Sequence, residues 1–61
     1  MQNLKHYFIK DLLDKTKKVR IVNFYNNQEV FFGDYQDIPK VFLNMPMRIF
    51  TAHKGYFEFT L

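Results

Sequence analysis

His6, His53, Asp34 and Asp37 are the side chains with which this chain could bind a cation or move a proton. Two imidazoles with a carboxylate pair are the raw material of a metal site or a general base. Their placement serves neither. The sequence has no Cys, so thiolate ligands and disulfides are excluded, and the histidines have no regular carboxylate spacing beside them. Asp34 and Asp37 flank the turn "DYQDIP", where Asp37 precedes Pro39 as a helix cap would. His53 sits next to the turn "HKGY" with no evident partner. There is no Ser-based nucleophile elbow and no phosphate-cradling glycine loop; Gly33 and Gly55 each stand where a turn wants one. The sequence therefore predicts a non-enzyme, with no cofactor and no metal site.

Binding chemistry is better supplied. Phe24, Tyr25 and Phe31 with Arg20 alongside would form an aromatic platform with a cation at its rim. Single-stranded bases stack on such platforms, and Lys15, Lys17 and Lys18 could hold the phosphates. The net charge of +3 is modest for a nucleic-acid module, and the excess lies in the first third of the chain. Lysines at the end of a helix also complement its dipole without any ligand. The same aromatics, with Tyr56 and the methionines around Pro46, suit a protein interface, where Phe, Tyr, Met and Arg are enriched. A protein-binding surface built from Phe24, Tyr25, Phe31, Tyr56 and Arg20 is the leading reading; nucleic-acid binding is the alternative.

These residues need elements to hold them. "NLKHYFIKDLLDKTKK" places Leu4, Phe8 and Leu12 four apart, with Asp11 and Lys15 paired in the favourable order. It predicts a helix firmest from Ile9 to Lys15; the competing reading makes "YFI" extended, followed by a single helical turn. "KVRIVNFYNNQEVFFG" predicts a β-hairpin turning at Asn26-Asn27, which sets Ile21 opposite Phe32 and leaves both faces apolar. In "DYQDIPKVFLNMP" the spacing of Ile38, Val41, Phe42 and Met45 predicts a short helix ended by Pro46. "MRIFTAHKGYFEFTL" predicts a second hairpin about Lys54-Gly55, with His53 facing Tyr56 and Phe50 facing Phe59. Its core face carries Phe50, Ala52, Phe57, Phe59 and Leu61, with Arg48 at its end.

The whole reads as one domain, residues 1–61, of the α+β class: helix, hairpin, short helix, hairpin, in one mainly antiparallel sheet. A chain this short buries only about 60% of the surface its unfolded form exposes, so it usually needs a staple. With no disulfide or metal, an aromatic core and self-association remain, and a homodimer is expected. Aromatic residues are 20% of the chain. No apolar run reaches the roughly 20 residues of a membrane span, and the N-terminus lacks a signal-peptide plan. A cytoplasmic protein is expected.

The order "IKDLLDKT", "VRIVNF", "EVFFGDYQDIP" and "MRIF…FEFTL" resembles small uncharacterised proteins of phages and mobile elements in low-GC Gram-positive bacteria. The resemblance covers most of the chain and rests on hydrophobic pattern and a few turn residues. It implies an accessory protein acting in the host cytoplasm, a class that includes inhibitors of host defence systems and host enzymes.

Overall fold

A computed structural model describes residues 6–61. The chain makes a 3₁₀ turn (Ile9–Asp11), strand β1 (Lys18–Val22), strand β2 (Glu29–Gly33), a second 3₁₀ turn (Tyr35–Asp37), helix α1 (Lys40–Leu43), strand β3 (Ile49–His53) and strand β4 (Tyr56–Thr60). The strands form one sheet in the order β2-β1-β4-β3. Both hairpins are antiparallel, but the two strands at the centre, β1 and β4, run parallel. The sheet is therefore mixed, with two antiparallel pairings flanking a parallel one. A parallel pair needs a crossover, and the stretch from Asp34 to Arg48 supplies it by passing from one edge of the sheet to the other.

That crossover and the segment before β1 pack on the same face of the sheet. Ile9, Ile38 and Met47 join Val19, Ile21 and Phe59 in the buried core, with Leu12, Phe31, Phe42, Met45, Phe50, Phe57 and Leu61 packed around them. Val22 is also buried, but it stands outside this cluster, and strand alternation puts it on the opposite face. The opposite face also carries Arg20, Tyr56 and Glu58, which are part-exposed, and Phe32, which is exposed.

The helix expected from Ile9 to Lys15 is one 3₁₀ turn. Tyr7 and Met47 exchange backbone hydrogen bonds of 2.9 and 2.8 Å, which hold the chain extended just before the turn. Leu12 leaves it again at ψ 131°. Leu13, expected beside the helical stripe, is fully exposed. Lys15 donates to the Leu12 carbonyl at 2.8 Å rather than pairing with Asp11. The extended alternative for "YFI" is nearer the outcome, though the turn opens at Ile9. Leu4, the first residue of the expected stripe, lies outside the described residues.

The short helix is present but its start differs. Asp37 does not cap it: Asp37 closes the second 3₁₀ turn, and Pro39 occupies the cap position. Proline keeps Ile38 extended at ψ 128°, which separates turn from helix. Ile38 is buried and Phe42 half-buried, whereas Val41 points to solvent.

The second hairpin has the expected register throughout, from His53–Tyr56 to Ile49–Thr60. Gly55 takes φ 94°, so Lys54-Gly55 turns in two residues. The first hairpin does not. Its loop runs over Phe24 to Asn27, closed by hydrogen bonds from Asn23 N–H to the Gln28 carbonyl and from Asn27 N–H to the Asn23 carbonyl. Asn27 takes the positive φ, 59°. The four-residue loop alone would set Ile21 opposite Val30; the bulge between Val22–Glu29 and the next pair skips Val30 and sets Ile21 opposite Phe31 and Arg20 opposite Phe32. A slip of one residue exchanges the two faces, so Phe31, expected at the interface, packs against the core, while Phe32 and Val30 are half-exposed.

Candidate functional site

The candidate surface begins at the tip of the first hairpin. Tyr25 is 83% exposed there, and Phe24 packs edge-on against it with ring centroids 5.5 Å apart. The loop is fixed from within. The Asn23 side-chain carbonyl accepts from Tyr25 N–H at 2.8 Å, and that of Asn26 accepts from Gln28 N–H at 3.1 Å. Asparagine makes such turns because its short side chain reaches the backbone two residues on. The guanidinium of Arg48, from the segment just before β3, lies 4.4 Å above the Phe24 ring and 5.7 Å from that of Tyr25. Among the described residues Arg48 forms no ion pair with a carboxylate. The alternation of the second hairpin put Arg48 at the end of its core face and not at a site; the β3–β4–β1 pairing brings residues 24 and 48 together, and Arg48 is exposed there.

The surface continues along the open face of the sheet, where Arg20, Tyr56 and Glu58 are part-exposed. Arg20 Nε donates to Glu29 Oε1 at 3.0 Å, and its Nη1 lies 3.4 Å from Glu58 Oε2. The hydrogen bond to Glu29, with the Glu58 charge behind it, raises the Arg20 pKa above its ordinary value against the smaller effect of burial. Glu58 Oε1 is 2.7 Å from His53 Nε2, so His53 has the partner its sequence context did not reveal. The imidazole stacks on Tyr56 at 4.5 Å, and Phe32 meets the other side of Tyr56 edge-on at 5.8 Å. The row is self-paired and nearly neutral. That suits packing against a protein better than holding phosphates.

Of the five residues expected at the interface, Phe24 and Tyr25 share the tip, Arg20 and Tyr56 share the open face, and Phe31 lies on the far side of the sheet in the core. Phe32 takes the exposed position that Phe31 was given. Of the lysines of the nucleic-acid reading, Lys18 stands opposite Tyr56 in the β1–β4 ladder, at the end of the open face away from the tip. Lys18 pairs with Asp34 at 2.8 Å, Lys17 lies over the Phe57 ring, and Lys15 over that of Tyr35. The length of β1, about 13 Å at strand rise, separates Lys18 from the end that carries Phe24 and Tyr25.

Among the described residues no three His, Asp or Glu side chains converge as metal ligands. A groove of about 290 Å³ beside Phe50 contains His6 and Asp11 over an apolar floor, with no Ser or Thr hydroxyl on its lining. No described helix is long and apolar enough to cross a membrane. Comparison with protein-family models, with curated proteins and with solved structures finds no match to this chain.

Proposed function

We propose that this protein is a non-enzymatic accessory protein that binds a protein partner through the Phe24–Tyr25 tip and Arg48, with Tyr56 and Arg20 on the adjoining sheet face. One observation carries the reading: a tyrosine almost fully in solvent, on a loop pinned by its own side chains, beside an arginine with no carboxylate partner. Rigid exposed aromatics and arginines are the usual anchors of protein interfaces, because they bury much area and lose little freedom on binding. The loop from Asn23 to Gln28 carries no charge, so the complementary surface is an apolar pocket with a carboxylate at its rim. The resemblance to phage and mobile-element proteins supports a target in the bacterial host, a defence protein or enzyme blocked by occupation of its surface. The carboxylates already matched to Lys18 and Arg20, namely Asp34, Glu29 and Glu58, disfavour the nucleic-acid alternative.

The test is affinity capture from nuclease-treated lysate of a low-GC Gram-positive host, with wild-type and Tyr25→Ser baits of equal circular dichroism. A partner retained by the wild type and lost by Tyr25→Ser is expected. Identical capture by both baits, or capture abolished by nuclease, overturns the reading.

A further inference from the structure

The sheet has two edges, β2 and β3, and among the described residues neither is covered by another strand. Exposed edges are templates for pairing, and proteins blunt them with lysine, proline or charge. β2 reads Glu-Val-Phe-Phe-Gly, with one charge at its first position and no proline. It also carries two of the large apolar side chains left half-exposed, Val30 and Phe32. The bulge falls at Val30, and β2 is regular from Phe31 onward.

We propose that β2 pairs antiparallel with β2 of a second copy of this chain, about a two-fold axis at Phe31. This register sets Val30 opposite Phe32 of the other copy, twice, and Phe31 opposite itself. The sheet becomes continuous across eight strands, and the exposed apolar pair covers itself. The charges agree with this arrangement. Glu29 arrives opposite Gly33 of the other copy, about 10 Å between Cα atoms from the neighbouring Lys18 by strand spacing. Glu29 keeps its Arg20 partner and Lys18 its Asp34 partner, so two ion pairs lie side by side and no like charges stand directly opposed. The other edge fails this criterion. Pairing β3 with itself about Thr51 would set Arg48 against Lys54 at both ends, and like charges directly opposed are destabilising. The β2 contact lies away from Tyr25 and does not depend on whether a partner binds there.

Sedimentation equilibrium across micromolar to millimolar concentration tests the pairing. The wild type is expected at twice its 7.5 kDa monomer mass. Phe32→Lys, which places a charge on the β2 edge at a half-exposed position, is expected to return it to monomer with an unchanged circular dichroism spectrum. Thr51→Lys on β3 is expected to remain dimeric. Mixed Val30→Cys and Phe32→Cys proteins are expected to cross-link to each other in preference to themselves. A wild-type monomer at millimolar concentration overturns the proposal. So does a folded Phe32→Lys dimer, or a dimer dispersed by Thr51→Lys.

Discussion

Ile21 stands opposite Phe31 in the ladder between β1 and β2. Phe31 is thereby committed to the core, and its ring end lies 3.1 Å from where a Cβ on Gly33 would be. Phe32, one residue on, is turned outward to meet Tyr56. The two phenylalanines are adjacent in sequence and belong to different physical problems, one of stability and one of surface.

Alanine substitutions should separate them. Phe31→Ala is expected to cost about 1–3 kcal/mol, less than a fully buried Phe because the ring is only half-buried. Phe32→Ala should cost under about 1 kcal/mol, as exposed substitutions generally do. Urea unfolding followed by circular dichroism measures both, at concentrations low enough to keep the monomer. Equal losses would show that the register is not the one described.

Phe59 should be indispensable. It is 1% exposed at the centre of the core, with the Phe50 ring 5.1 Å away. Phe59→Ala is expected to cost about 3–5 kcal/mol. A domain of this length has on the order of 3–9 kcal/mol in total, so much of the population unfolds. Deleting residues 59–61 removes Phe59 together with the Leu61 N–H bond to the Val22 carbonyl. That variant should show no cooperative thermal transition; a sharp melt would contradict this account of the core.

Gly55→Ala should cost about 1 kcal/mol through backbone strain alone. At φ 94° an L side chain is disfavoured, while no atom lies within 4 Å of the added Cβ. A melting temperature equal to wild type would mean that the turn relaxes without loss.

Asp14 should titrate below its ordinary value of 3.8, first because the Thr16 hydroxyl donates to it at 2.6 Å and then because the Thr16 backbone N–H does. A depressed carboxyl contributes stability that is fully present above its unfolded pKa and lost as pH falls through the folded value. The loss therefore falls below pH 3.8. Thr16→Val removes the hydroxyl bond and keeps the backbone one, so the midpoint should move part of the way back. Carboxyl NMR titration reads both midpoints. An upward shift, or no change in the variant, would discredit the turn.

Much of the second hairpin is legible in the sequence because its turn is local. Lys54-Gly55 fixes a two-residue connection, and every later pair follows from it by alternation. The first hairpin offers Asn23, Asn26 and Asn27 as turn formers, and local sequence does not choose among them. Pairing of β1 with both β2 and β4 makes the choice, since a slip of one residue would take Phe31 off the face that Ile21 and Phe59 share. The same holds for the site. Tyr25 and Phe24 are readable as spare aromatics, but Arg48 above them is not, because the two segments meet only through the sheet.

By itself the sequence determined the strand-forming segments, the second turn, the absence of disulfides and the aromatic supply of the core, all consequences of residue type and short-range spacing. Tertiary structure decided the parallel β1–β4 pair, the face on which each first-hairpin aromatic lies, and the reduction of the N-terminal helix to one turn. Those outcomes depend on contacts such as Tyr7 with Met47, between residues far apart in the chain. No local propensity encodes such contacts, because their energy exists only once the sheet has assembled.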